Sequence, residues 1–281
     1  MKIGIVGLGL IGGSFGRTLT KKTNNKVYGY DINSSVTLKA EMLNAFNEPL
    51  TEENSKELDV LIISVYAEAF KECLFKFLPF LKKGAIVMDF CGVKRSIIKV
   101  MTDASKEYKD IIFIGGHPMA GREFSGIERS TTTLYDKASI ILVPVNADIF
   151  TLDFVKKFYL DLGFSNVVIT TAENHDKMIA FTSQLCHIVS NAFIKNDTAK
   201  EHFGYSAGSY KDLTRVAKLN SKMWSGLMTQ NGDKLSQELD ELILNLQEYS
   251  KALKNNDKER LESLLEDGNQ RKIQIDSRSN K

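Results

Sequence analysis

Up to about position 170 the apolar residues fall in short unbroken runs: IGIVG, KVYGYD, DVLIISV, AIVMDF, IIFIGG and ASIILVPV. Between them, apolar positions recur at three- and four-residue steps. Runs this short, without alternation and rich in Ile and Val, are what strands buried on both faces require, and the intervening period is helical. The pattern predicts α/β layering around a doubly wound, mainly parallel sheet. After Gly163 one more β-like run, NVVIT, is followed only by helical pattern, so a sheet domain over residues 1–168 and an all-helical C-terminal domain over 169–281 are expected. Thr170 and Glu173 stand in the T-x-x-E relation of a capping box, which predicts a helix from 171 to 195. Met178, Phe181, Leu185, Ile188 and Ala192 form its apolar stripe. Beside them Ala180, Gln184, His187 and Asn191 line a face able to hydrogen-bond, bordering solvent or a cleft. The chain should close on an amphipathic helix and a frayed tail.

Composition narrows the partners. With 281 residues and 43% apolar content the chain can bury a full core. The 37 basic and 35 acidic residues are interspersed and sum to +2, which offers neither a nucleic-acid surface nor a polybasic membrane patch. Small molecules and other proteins are the expected partners. Cys73, Cys91 and Cys186 make no metal-spaced pair and no disulfide framework, so no metal site is expected and a reducing cytoplasm fits. The first residues lack the pattern of a signal peptide, and no apolar run approaches the roughly 18 residues of a membrane span.

The first chemistry lies in Gly7-Leu8-Gly9-Leu10-Ile11-Gly12, which follows a strand and opens a helix. In that context the first glycine permits a tight turn, the second lets backbone amides approach a pyrophosphate, and the third lets helix and strand pack closely. Asp31 ends the next strand, about 20 residues on, where a carboxylate accepts from the adenosine ribose hydroxyls and repels a 2′-phosphate. The following INSS has hydroxyls but no arginine, so NAD is expected over NADP. This is the signature of a Rossmann-type domain. The strand DVLIISV ends at Ser64 and Val65, which should also approach the dinucleotide. By the same logic GGHPMAG follows IIFIG, and His117 belongs at the carboxyl edge of the sheet. A histidine there can take a proton from an alcohol as hydride leaves the adjacent carbon, or it can hold a loop together.

Taken together, GLGLIGGS, DFCGVK, GGHPMAGREFSG, HDKMIAFTSQLCH and YKDLTRVA followed by MW resemble the prephenate and arogenate dehydrogenase family of tyrosine biosynthesis, in order over residues 3 to about 224. The resemblance implies NAD-dependent oxidative decarboxylation of prephenate to 4-hydroxyphenylpyruvate in a homodimer formed by the helical domain. It implies that His117 accepts the proton of the ring hydroxyl and that His187 contacts substrate near the nicotinamide. Arg215 would bind the substrate side-chain carboxylate, with Lys211 a second basic residue and His175 part of the substrate site. By residue pattern alone, Lys211 and Arg215 would be a solvated helix face.

One departure stands out. Where the family often has serine in Asp-x-Gly-Ser-Val-Lys, this chain has Gly92, so water, Cys91 or another hydroxyl must take the serine's place, or its interaction is absent. Three alternatives stay open. Arogenate is the substrate if Asp176 turns its carboxylate toward the substrate's ammonium. A β-hydroxyacid dehydrogenase would rely on a helical lysine, for which Lys177 is the candidate. A non-catalytic NAD-binding regulator would account for the altered site at Gly92. Arg122 either steers a dicarboxylate substrate or faces solvent.

Overall fold

In a computed structural model, which describes residues 1–121 and 124–279, each of the seven apolar runs is a strand. They are β1 (Lys2–Val6), β2 (Lys26–Tyr30), β4 (Val60–Ile63), β5 (Ile86–Asp89), β6 (Ile112–Pro118), β7 (Ser139–Pro144) and β8 (Asn166–Ile169). A two-residue edge strand, β3 (Glu48–Pro49), carries too little pattern to be read from sequence. The sheet order is β3-β2-β1-β4-β5-β6-β7-β8. All neighbours are parallel except β6 and β7, whose antiparallel register sets His117 opposite Ile141. The helices of this part are α1 (Leu10–Lys22), α2 (Ser34–Met42), α3 (Glu52–Ser55), α4 (Ala67–Phe77), α5 (Arg95–Glu107) and α6 (Ile149–Asp161).

The unbroken apolar runs have the explanation anticipated for them. Ile3 and Ile5 point into one core with Phe15, Val155 and Tyr159, and Val6, Leu61 and Ile63 point into the other with Phe70, Leu74 and Met101. Phe15 fixes α1 on the sheet by meeting Phe90 edge-on at 5.0 Å, and truncating such a buried ring costs about 3–5 kcal/mol. The glycine turn that opens α1 is therefore held by the core beneath it. Strand order reverses between β1 and β4, and a doubly wound sheet binds ligands outside the carboxyl ends of its strands at that point.

The chain forms two compact units, Met1–Asn231 and Gly232–Lys281. The first continues past the sheet through α7 (Ala172–Ile179), a π-helical stretch (Ala180–Leu185), α8 (Cys186–Phe193), α9 (Gly208–Thr214) and α10 (Ser221–Gln230). The second is a hairpin of α11 (Gly232–Lys254) and α12 (Lys258–Ser279), tied by Tyr249 Oη donating to the Leu264 carbonyl at 3.1 Å. Among the described residues no helix is long and apolar enough to cross a membrane.

Three expectations for the helical part change. The cap is Thr171, whose hydroxyl accepts from Asn174 N, because the Thr170 amide still donates to Leu142 O and keeps Thr170 on the sheet. The apolar stripe faces outward at Met178 and Phe181, while Ala180 and Gln184 from the hydrogen-bonding line are buried. Finally, α12 remains helical to Ser279 where a frayed tail was expected.

Candidate active site

Gly7, at the end of β1, has φ +89°, and a Cβ there would lie 2.3 Å from Ser64 O, so the turn admits no side chain. Gly12 is equally closed, since its Cβ would meet Gly7 O at 1.9 Å. Gly9 is the opposite case: a Cβ there would meet nothing within 4 Å, and α1 begins at this residue without a side-chain cap. Open space beside uncapped helix amides is what a pyrophosphate needs. Leu8 N donates to Asp31 Oδ2 at 2.9 Å and Asn33 N to Oδ1 at 2.9 Å, which fixes the carboxylate at the end of β2 with acceptor capacity left for ribose hydroxyls. Leu10 and Ile11 form the first turn of α1, and Ser64 and Val65 follow β4 directly beside the glycine turn. The structure thus brings all nine residues expected at the dinucleotide to one corner of the sheet.

His117 is not in a loop after the strand, as its neighbours suggested; β6 runs through it to Pro118. The residue is half-buried, and its Nδ1 lies 2.9 Å from His175 Nε2. His175 is 1% exposed, and its Nδ1 meets Asp176 Oδ1 at 2.7 Å. Asp176 also accepts from Lys94 N at 2.7 Å, Arg95 N at 3.0 Å and Arg95 Nε at 3.1 Å. Beneath His117 a second charge pair is fully buried: Lys94 Nζ lies 2.6 Å from Asp89 Oδ2, and Asp89 Oδ1 accepts from Gly116 N at 3.0 Å. Burial, then the Lys94 charge, holds the His117 imidazole well below the usual histidine range, so at neutral pH it is neutral and carries a lone pair that can accept a proton. His175 is lowered chiefly by burial, against the raising effect of its bond to Asp176. Burial alone would raise Asp176, but the hydrogen bonds from His175, Arg95 and Lys94 outweigh it and the carboxyl is lowered.

The other expected residues have the following partners. His187 Nδ1 is 3.1 Å from Val216 O, and its ring centre is 3.9 Å from that of Trp224, which draws the segment of Arg215 alongside α8. Arg215 and Lys211 are exposed. Asn191, from the same line of α8 as His187, donates to Ala217 O at 3.1 Å. Gly92 faces α10: a Cβ added there would approach Leu227 Cδ2 to 3.3 Å, so a leucine occupies the space beside the missing serine side chain. Cys91 does not replace that serine, because its buried thiol donates to Val65 O at 3.3 Å and burial raises it well above the usual thiol range. Asp176 is 1% exposed, and all its acceptor capacity is used inside the protein. Lys177 is exposed, and Arg122 lies outside the described residues. A cavity of about 520 Å³ lined by Glu68, Lys71, Ser96, Val100, Gly226 and Gln230 involves none of these groups.

Sequence reasoning missed the binding partners within this cluster. Lys94, Arg95 and Asn231 received no role and Gln184 only a place on the hydrogen-bonding face, yet Asn231 Nδ2 donates to both Asp176 O at 2.8 Å and Gln184 Oε1 at 2.9 Å, while Arg95 Nη2 donates to Asn231 Oδ1 at 3.0 Å. One available signal was the charged pair within DFCGVK, Asp89 and Lys94, which directly follows the apolar run AIVM.

Two family profiles cover most of the chain. That of the prephenate dehydrogenase nucleotide-binding domain matches residues 15–168, and that of the prephenate dehydrogenase dimerization domain matches residues 171–267. The chain is 29% identical over 266 residues to a cyclohexadienyl dehydrogenase of Zymomonas mobilis subsp. mobilis, covering 91% of this chain and 89% of that protein. It superposes with a TM-score of 0.84 and 28% identity on a prephenate dehydrogenase from Aquifex aeolicus in complex with hydroxyphenyl propionate and NAD+, covering 98% of both chains. A Synechocystis arogenate dehydrogenase superposes with a TM-score of 0.81 at 26% identity, covering 98% of this chain and 100% of that one. The sheet with its uncapped glycine turn, the histidine at its carboxyl edge and both matched profiles agree: the chain belongs to the prephenate dehydrogenase family of oxidoreductases.

Proposed function

We propose that this protein catalyses the NAD-dependent oxidative decarboxylation of prephenate to 4-hydroxyphenylpyruvate. The observation that carries the reading is His117, neutral and held from one side, at the carboxyl edge of the same sheet whose glycine turn is open at Gly9. NAD bound at Gly7, Leu8, Gly9, Leu10, Ile11, Gly12, Asp31, Ser64 and Val65 supplies the hydride acceptor. His117 takes the proton of the ring hydroxyl as the C–H bond at that carbon breaks. Loss of the ring carboxylate as carbon dioxide leaves its electron pair in the ring, which becomes aromatic and makes the step effectively irreversible. His187 contacts the substrate, and the guanidinium of Arg215, backed by Lys211, binds the side-chain carboxylate, for which a planar fork is well suited. Gly92 contributes backbone and space without a hydroxyl.

Residues 1–168 hold the nucleotide, and residues 169–281 bind substrate and pair two subunits in a homodimer. Exposed apolar side chains support the pairing: Met178, Phe181 and Phe193 in the first unit, and Leu244, Leu246, Leu253 and Leu265 in the second. Chemistry on a soluble metabolite fits a cytoplasmic enzyme. Arogenate is the second reading, and the Synechocystis relative favours keeping it. The feature that would have selected for its ammonium, a free carboxylate at Asp176, is consumed by four donors. Reduced cofactor is to be followed by absorbance with prephenate and arogenate, each with NAD and NADP. Turnover of prephenate with NAD is expected to be fastest; no reduction with prephenate under any condition, or full activity in His117→Asn, would refute the proposal.

A further inference from the structure

The row His117, His175, Asp176 has a direction that follows from hydrogen-bond bookkeeping. Asp176 takes four donors on its two oxygens, so it is an ionised carboxylate and an acceptor only. The His175 nitrogen 2.7 Å from it, Nδ1, must therefore carry a proton. A neutral imidazole has one proton to place, so Nε2 of His175 is a bare acceptor. The atom 2.9 Å from that acceptor is His117 Nδ1, which must then be the donor. Neutral His117 is left with its lone pair on Nε2, the nitrogen turned away from His175. We infer that Asp176 and His175 are positioning residues that hold His117 in the tautomer whose Nε2 accepts the substrate proton. This rests on the proposed role of His117 as base and adds the reason its free nitrogen is the correct one.

The relay also acts after proton transfer. When Nε2 takes the hydroxyl proton, His117 becomes a cation whose Nδ1–H already points at His175, and the ionised Asp176 lies one imidazole further on. Among the described residues the charged groups at the row are Asp176 and Arg95 at its far end, and the Lys94 and Asp89 pair below His117. Lys94 opposes the new cation, and Asp176 is the carboxylate aligned to offset it. Without His175 the neutral ring would be free to place its proton on either nitrogen, and the wrong choice removes the base. In a Ser-His-Asp triad a change that imposes the wrong tautomer costs about 10⁴ in kcat.

The test uses the full chain labelled with ¹⁵N-histidine, NAD present and substrate absent. Long-range ¹H–¹⁵N spectra assign the tautomer of each ring, with His117→Asn identifying its signals. Protonated Nδ1 and bare Nε2 at His117 are expected; the reverse tautomer overturns the inference whether or not the protein turns over prephenate. Turnover assays form the second arm. His175→Leu is expected to lower kcat at least about 100-fold with KM for substrate and cofactor changed by less than about threefold. His175→Gln keeps a side-chain acceptor for Nδ1 and is expected to recover at least about tenfold of that loss. Equal kcat in the Leu and Gln variants, or a loss confined to KM, would overturn it as well.

Discussion

Replacing Lys94 by methionine tests whether the buried pair under His117 matters to both stability and chemistry. Lys94 and Asp89 are each 0% exposed. The ammonium bonds Asp89 Oδ2 at 2.6 Å and the carbonyls of Cys91 at 2.7 Å and Val93 at 3.2 Å. Methionine matches its length and leaves the Asp89 carboxylate with two amide donors, from Cys91 and Gly116, and no counter-charge. Removing one partner of a buried pair costs about 3–5 kcal/mol. In a unit of this size each kcal/mol moves Tm by roughly 2–4 °C, so a fall of about 6–20 °C is expected in a thermal melt. Asp89→Asn/Lys94→Met removes both charges and should melt above the single variant, because the orphaned carboxylate is the main cost. The second readout is kinetic. Lys94 is one of the causes holding His117 low, so its loss lets the imidazole rise toward the ordinary range and moves the acid limb of kcat/KM to higher pH. A melt within about 2 °C of wild type together with an unmoved acid limb would refute this account of the pair.

Gly9→Val should abolish NAD binding, measured by quenching of the Trp224 fluorescence or calorimetry, while lowering Tm little, because the space at Gly9 is open; Gly12→Ala should instead destabilise the fold. Arg215→Leu should raise KM for prephenate about 10–100-fold at nearly constant kcat, the value of one or two charge-assisted hydrogen bonds, with a smaller rise in Lys211→Ala. Stability should fall as pH drops below about 6.5: His117 and His175 are both lowered in the folded chain, so the unfolded chain binds more protons there, at about 1.4 kcal/mol per pH unit for each histidine. Melts from pH 7.5 to 5 check this, and His117→Asn should flatten the slope. Gly92→Ser should cost under about 1.5 kcal/mol in a denaturant titration, since its Cβ meets only the flexible tip of Leu227, and Leu227→Ala in the same chain should remove that cost.

The sheet was legible because its signal is local. Runs without alternation such as β1, β4 and β5 can be buried only between two helical layers, and the glycine turn between β1 and α1 needs nothing beyond its own residues. Where a strand has two residues, as at Glu48–Pro49, there is no period to read. The helix from residue 172 was legible in extent but not in orientation. Met178 and Phe181 of its apolar stripe face outward while Leu185 of the same stripe is buried, and Gln184 and Ala180 of the hydrogen-bonding line face inward. Periodicity identifies two faces and cannot say which is inside.

The site divides in the same way. His117 was legible from its place after an apolar run, but its link to His175 spans 58 positions and depends on how α7 lies against the sheet. Asp176 is the instructive case, since from sequence its carboxylate could have been offered to a substrate ammonium, and it is instead taken up by four donors of the protein. The reason lies at α5. That helix starts at Arg95 after Lys94, which has no side-chain acceptor, so the amides of Lys94 and Arg95 would be orphaned in a buried corner. Helix starts normally carry Ser, Thr, Asp or Asn for this purpose, and VKRS carries none at the capping position. Some distant acceptor had to supply the cap, and a carboxylate does so best because it also opposes the positive end of the helix. Asp176 supplies it from α7, and in doing so is fixed, ionised and aimed at His175. The absent cap at VKRS was therefore, beside the Asp89 and Lys94 pair, a second legible sign that an acceptor from elsewhere in the chain would be needed at this helix start.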